Sequence, residues 1–384
     1  MPGPSPPRPE DAPPWAADWR RVTMPATVRP RPARGPIVWL ALVCVAIVGV
    51  LALGARWWSE AIGSARSETA GTLTVTGAGS IATAVDPTLV DITATLAYQT
   101  DTEVDGTGVV LSAGGLVLTN NHVITGASQI SAVDVGTGQQ FTATVLGYDR
   151  GHDLALLQLA GAAGLPAARL GDSSRVKVGD AVVGLGNAGG KGGKPAAAAG
   201  TVVALDQRIE SVNVYDNTSE KLDHIIATDA DIEPGDSGGP LVDRYGRVIG
   251  IDTAGSRGAL SFLAKRGFAI PIDAAMSEVR IIQAGESSDT IHVGQTAFLG
   301  VEAGSHRGDG LAVTQVVADG PAAQAGLTSG DVIVALDDRP VDSPEALSAV
   351  LCRHQPGDAV EMVWQDASGA RHSSVVLFAT GPPA

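Results

Sequence analysis

Three residue types spaced along this chain have the chemistry of a hydroxyl nucleophile. Ser237 sits in Ile232-Glu233-Pro234-Gly235-Asp236-Ser237-Gly238-Gly239-Pro240-Leu241. A serine hydroxyl is a poor nucleophile until a positioned base takes its proton, and that base needs an orienting carboxylate. His122 lies at a strand end in Leu118-Thr119-Asn120-Asn121-His122-Val123, and Asp153 opens the alternating apolar run Leu154–Leu159. The order His122, Asp153, Ser237, with separations of 31 (153 − 122) and 84 (237 − 153), supplies base, orienter and nucleophile. The chemistry this predicts is acyl transfer, with the backbone N–H groups of Gly235 and Ser237 binding the oxyanion. Glycine suits position 235 because it has no Cβ to forbid the backbone conformation required there.

These residues belong to motifs that resemble a known family. TNNHV at 119–123, HDLALL at 152–157, the TDA-x-I-x-PGDSGGPL block at 228–241 and GFAIP at 267–271 resemble the HtrA/DegP serine proteases. The stretches GYDR and TAFLG and the GPPA terminus are similar to the exported mycobacterial PepA-type members. The resemblance spans roughly residues 75–384. It implies a chymotrypsin-like double β-barrel, with His122 as general base, Asp153 as its orienter and Ser237 as nucleophile. It also implies proteolysis of unfolded or damaged protein, and it raises a homotrimer. The alternative function is a catalytically inactive, membrane-tethered peptide-binding adaptor or chaperone. The intact His122, Asp153 and Ser237 set separates the two.

Two neighbours compete for roles. His152 adjoins Asp153, but adjacent strand residues face opposite ways, so His152 is expected at the surface. Asp149 precedes a turn and is a rival for the triad acid. His224, His292, His306, His354 and His372 are scattered among polar residues and are also expected at the surface, with no metal site. No cofactor is expected. Asp231 stands six residues before Ser237, the offset of an acid at the base of a trypsin-type specificity pocket. Either it selects Arg or Lys, or it turns to solvent and leaves Ile232 to line an apolar pocket. The second is expected, with cleavage after Val, Ala, Ile or Leu. Asp236 occupies a position where the family usually has Asn. Activity is nevertheless expected to need no N-terminal processing.

The positioning elements read as short strands. Leu89–Leu96, Gly108–Leu111, Leu116–Leu118, Gln129–Val135, Phe141–Tyr148 and Leu154–Leu159 give a first barrel. Residues 181–186, 200–205, 224–229, 240–243, 247–253 and 267–271 give a second. The Gly/Ala/Lys-rich stretch 184–200 does not fit a phosphate-binding loop and reads as a flexible hairpin loop. By the resemblance, 206–223 is the regulatory sensor loop and 255–266 flanks the specificity pocket. Past a linker at 286–296, Phe298-Leu299-Gly300-Val301 resembles the carboxylate loop of a PDZ domain. Gly310–Val317, Pro321–Leu327, Gly330–Asp337 and a Ser-capped helix over Ser343–Leu351 follow in PDZ order. Such a domain binds C-terminal peptides by β-augmentation. The overall class is all-β dominated: a protease domain over 76–285 and a small α+β domain over 297–384.

The N-terminus has a separate logic. Eleven of the 23 prolines fall within residues 2–36, beside six arginines, which predicts a disordered cytoplasmic arm. Ile37–Ala55 is 19 residues without a charge, with Trp39 near its start and Trp57 and Trp58 just past its end. This reads as a transmembrane anchor, with everything after Arg56 extracytoplasmic. A cleaved leader, with Ala52-Leu53-Gly54 as its site, is the alternative. A linker is expected over 56–75. The net charge of −15 argues against nucleic acid as a partner. Cys44 in a bilayer and Cys352 outside it could not pair, so no disulfide is expected.

Overall fold

The computed structural model describes residues 75–97, 102–212, 219–253 and 267–383. The arm, the anchor at 37–55 and most of the 56–75 linker therefore lie outside the described residues, as does 255–266. No helix among the described residues is long and apolar enough to cross a membrane.

A helix α1 (Val75–Val85) leads into six strands: β1 (Leu89–Leu96), β2 (Glu103–Val110), β3 (Leu116–Thr119), β4 (Ala127–Asp134), β5 (Gln140–Asp149) and β6 (Leu154–Leu159). They pair in the order β5-β4-β1-β2-β3-β6, and β5 also pairs with β6, closing the ring. Residues 154–157 of β6 are all buried, which suits a strand that meets solvent on neither face. A one-turn helix α2 (Asn121–Ile124) interrupts the ring after β3 and carries His122.

The second ring is a closed barrel of β7 (Ala181–Gly186), β8 (Ala196–Val212), β9 (Ser219–Thr228), β10 (Pro240–Asp243), β11 (Val248–Thr253) and β12 (Gly267–Pro271). The expected loop at 206–223 is corrected here. Strands β8 and β9 extend into it from both ends as a ribbon over 206–212 and 219–223, with Ile209 opposite Leu222 and Val212 opposite Ser219. Buried Ile209 and Leu222 supply the apolar contacts that a polar-looking stretch concealed.

Helix α3 (Ile272–Ala284) ends at Gly285, whose φ of 77° is the left-handed stop that glycine adopts at little cost. The expected linker then proves structured: β13 (Ile291–Val293) adds to the free edge of β5. The last domain contains β14 (Thr296–Phe298), β15 (Val301–Arg307), β16 (Gly310–Val316), α4 (Pro321–Ala325), β17 (Val332–Leu336), β18 (Arg339–Pro340), α5 (Pro344–Leu351), β19 (Ala359–Gln365), β20 (Arg371–Leu377) and β21 (Ala379–Gly381). Helix α5 starts as read, with the Ser343 hydroxyl accepting from the Ala346 N–H at 3.2 Å and Pro344 in the first turn. The core of this domain gathers Leu299, Leu311, Ile333, Leu336, Met362 and Trp364. Cys352, just past α5, is free and packs instead into the apolar cluster of the first barrel, where burial pushes its thiol up to about 11.

Candidate active site

The first barrel supplies one half of the site. Asn120 ends β3 in extended conformation and the chain then turns into α2. That turn places the His122 ring against Asp153, with Nδ1 2.8 Å from Oδ2 and 3.0 Å from Oδ1. The His122 backbone N–H also donates to Asp153 Oδ1, at 3.0 Å. Asp153 is fully buried, yet its acceptors are in use. Besides His122, the Thr253 hydroxyl donates to Oδ2 at 3.2 Å and the Asn120 side-chain amide donates to the Asp153 carbonyl at 2.8 Å. A carboxylate on Nδ1 places the proton there and leaves Nε2 as the basic nitrogen. The His122 side chain keeps 23% of its surface exposed, so the base remains reachable.

Asp153 is not on the strand, as the reading of adjacent residues assumed. It stands one residue before β6 with φ 53°, a left-handed conformation. His152 is exposed as expected, but this turn rather than strand alternation separates it from Asp153. Asp149, the rival acid, is buried and accepts from Gly151 N–H and from His152, whose Nδ1 is 2.5 Å away. That hydrogen bond raises the pKa of His152. Glu278 on α3 joins them, so that ligand atoms of Asp149, His152 and Glu278 lie within 4.8 Å of one another. No local spacing announced that trio, because Glu278 arrives from a distant helix.

The second barrel supplies the loop that carries Ser237. Ser237 is 4% exposed. Gly235 has φ 98°, and a Cβ there would stand 2.2 Å from the Asn187 carbonyl oxygen, so both conformation and crowding require glycine. The Pro234 carbonyl accepts from Gly189 N–H at 2.8 Å. In a trans peptide the C=O and N–H point opposite ways, so this bond aims the Gly235 N–H away from Gly189. The Asp236 carbonyl accepts from Gly239 N–H at 2.8 Å, and by the same argument the Ser237 N–H is turned away from it. The Thr107 hydroxyl holds the Gly235 carbonyl at 2.8 Å, and the Thr107 N–H donates to the Ser237 carbonyl at 2.8 Å. Strand β2 thereby ties the first barrel to the loop of the second.

Thr107, Asn120, Gly189 and Thr253 were not singled out from the sequence. Each acts through a pairing partner far along the chain, which no local motif encodes. Gly189 also belongs to the stretch read as a flexible hairpin loop; that loop backs the nucleophile.

Asp231 is exposed, whereas Ile232 is half-buried. The Ile232 side chain fills the space that Cβ atoms at Gly184 and Gly267 would otherwise enter, at 3.2 and 2.5 Å. The histidines divide. His224, His306 and His372 are exposed as expected, and His354 lies between Asp337 and Asp358. His292 corrects the expectation. It is fully buried, with Nδ1 3.0 Å from the Cys352 carbonyl and Nε2 2.9 Å from the Gln295 carbonyl.

In the last domain Phe298, Leu299, Gly300 and Val301 form the turn from β14 to β15. Gly300 has φ 83°. The Leu299 and Gly300 carbonyls accept from Ala322 and Val317, each at 2.9 Å. The N–H groups of Gly300 and Val301 therefore point the other way, in the sense a carboxylate-binding loop needs.

Comparison with known proteins agrees with this architecture. A trypsin-like peptidase domain matches residues 106–251, and a PDZ domain matches 297–364. The chain is 33% identical over 383 residues to serine protease PepD of Mycobacterium tuberculosis, covering 92% of this chain and 80% of PepD. It is 35% identical over 260 residues to the periplasmic serine endoprotease DegP of Salmonella typhimurium, covering 64% of this chain but only 50% of DegP. Putative serine protease HhoA of Synechocystis is 34% identical over 64% of this chain and 63% of its own length. The chain belongs to the HtrA family of serine proteases, with a trypsin-like peptidase domain and one PDZ domain.

Proposed function

We propose that His122, Asp153 and Ser237 act as one catalytic triad in an endopeptidase that cleaves unfolded or damaged proteins outside the cytoplasm, tethered by the segment 37–55. The observation that carries this reading is the His122–Asp153 pair, held at 2.8 Å by a buried carboxylate. With the proton on Nδ1, His122 Nε2 takes the Ser237 hydroxyl proton as Oγ attacks the scissile carbonyl. The oxyanion that forms meets the Gly235 and Ser237 N–H groups, whose directions are set by the carbonyls behind them. His122 then gives its proton to the leaving amine. A water molecule, activated in the same way, releases the acyl group.

The substrate side chain before the scissile bond meets Ile232 rather than exposed Asp231, which supports cleavage after Val, Ala, Ile or Leu. The PDZ domain binds C-terminal peptides with an apolar last residue along β15, and the loop at 298–301 takes the free carboxylate. The test is casein hydrolysis by the full-length chain. Ser237→Ala should lose roughly 10⁴-fold or more in turnover, as triad removal typically does. Cleavage by the Ala form at the parent's rate would refute the assignment.

A further inference from the structure

Two acids stand behind the Ser237 loop with carboxyl oxygens that no group among the described residues satisfies. Asp236 lies between the two residues whose N–H groups face the oxyanion, and it is 3% exposed. Its Oδ2 accepts from the Glu233 N–H at 2.9 Å, while its Oδ1 has no hydrogen-bond partner. Asp252 is fully buried, and neither of its oxygens has a partner of normal geometry. Among the described residues, the Leu185 N–H is the donor that opposes its burial. Asp252 is stitched to the loop by its backbone. Its carbonyl accepts from Gly238 N–H at 2.9 Å, and its N–H donates to the Gly239 carbonyl at 2.7 Å.

Strand β7 makes the room. Gly184 and Gly186 are two residues apart and so share one face of that strand. A Cβ at Gly184 would stand 3.0 Å from Asp252 Oδ2, and one at Gly186 would stand 2.8 Å from Asp236 Oδ1. The two missing side chains are what admit two carboxyl groups to the interior. Among the described residues, the charged groups that act on the pair are Asp231 and Glu233, both acidic. Strand β7 presents Gly184 and Gly186, β10 presents Leu241, β12 presents Ala269, and the loop presents Ile232; none of these titrates. Thr253, next to Asp252, points to the opposite side and donates to Asp153.

We propose that Asp252 is a positioning residue for the oxyanion loop: the loop keeps its shape only while the Asp236–Asp252 pair holds a proton, and loss of that proton disables the nucleophile at alkaline pH. Two buried carboxylates, three of whose four oxygens find no donor among the described residues, repel each other, whereas a shared proton removes one charge and adds one donor. Burial moves both groups in the required direction: Asp236 is pushed up to about 6, and Asp252, burdened further by Asp236, is pushed well above the usual carboxylate range. The sign follows. A carboxyl whose folded value is raised binds its proton more tightly when folded, so its contribution to stability is lost as pH rises from about 4 through the folded value.

The experiment uses the full-length chain with Asp252→Asn and Asp236→Asn, each amide standing in for a carboxyl that cannot ionise. The first readout is kcat/KM on labelled casein from pH 5 to 10. The parent should show an alkaline fall of about tenfold per pH unit beyond its midpoint, and Asp252→Asn should move that midpoint up by about one unit or more. The second readout is the urea unfolding midpoint at pH 5 and pH 9, which needs no activity and survives a failure of the triad assignment. The parent should lose stability between the two pH values, and both Asn forms should lose markedly less. Parent-like behaviour of Asp252→Asn in both readouts would overturn the proposal. So would an Asp252→Asn form equally destabilised at both pH values, since that marks an ionised acid held by a cation.

Discussion

Two loops of this molecule turn backbone N–H groups away from hydrogen-bonded carbonyls, and they differ in what lies behind them. At Pro234–Ser237 the turning glycine is Gly235, φ 98°; at Phe298–Val301 it is Gly300, φ 83°. In both, carbonyls bonded on the far side aim the N–H groups outward. Behind Gly300 lie Phe298 and Pro321, at ordinary contact distances. Behind Gly235 lie the Asn187 carbonyl, the Thr107 hydroxyl and the buried acids Asp236 and Asp252. The first loop only has to hold a carboxylate. In the function proposed here, the second must hold an oxygen whose charge develops during reaction, next to a nucleophile and its base. Similar backbone geometry therefore serves binding in one place and catalysis in the other, and the difference lies in side chains.

The largest effect separates the two loops by chemistry. Ser237→Ala removes the nucleophile and leaves both sets of N–H groups in place. Casein turnover should fall by about 10⁴-fold or more, while binding of a free-carboxylate peptide to the same full-length chain stays at the parent's value. Loss of peptide binding in that variant would break the separation.

The next effect tests crowding. Gly235→Ala puts a Cβ 2.2 Å from the Asn187 carbonyl oxygen, at a φ that L side chains rarely adopt. The loop has to move, and its N–H groups move with it. Removing one oxyanion donor typically costs about 10²–10³-fold in kcat, and this change displaces that donor directly. The effect should appear in kcat rather than in KM. A variant within about threefold of the parent would show that the Gly235 N–H is not used.

Legibility in the sequence follows the same division. Gly235, Ser237 and the PDZ turn at 298–301 could be read because a local backbone shape demands local residue types. Strands such as Leu89–Leu96 and Leu154–Leu159 were read to the residue from their apolar pattern. The ribbon over 206–212 and 219–223 is not legible because its polar residues hide the sparse apolar pairs. The third donor to Asp153, from Thr253, could not be read, since it depends on a contact 100 residues away. His292 was placed at the surface because polar neighbours in sequence say nothing about a strand docked between two domains. For a related reason, Asp252, unlike Asp236, is not legible. The strand over 181–186 is legible, but not that Gly184 and Gly186 leave room on its inner face for two carboxyl groups.

A third prediction concerns the charge that the PDZ turn holds. Peptides ending in an apolar residue with a free carboxylate should bind the full-length Ser237→Ala form, and amidating that terminus should weaken binding by about tenfold or more. Fluorescence anisotropy decides it. Equal affinity for the two peptides would mean that the turn at 298–301 does not receive a carboxylate.

The smallest effect completes the contrast. Gly300→Ala adds a Cβ whose nearest neighbours are Phe298 Cε1 at 3.4 Å and Pro321 Cδ at 3.5 Å, so space exists. What remains is the conformational cost of φ 83° for a residue with a side chain, about 1 kcal/mol. That strain falls on the fold more than on the donors, because Ala322 and Val317 still hold the carbonyls behind them. Urea unfolding should register a loss of about that size for the PDZ transition, and peptide affinity should fall by less than about tenfold. If Gly300→Ala abolished binding as completely as Gly235→Ala is expected to disable turnover, the two loops would be equally intolerant, and crowding behind the glycine would not be what distinguishes them.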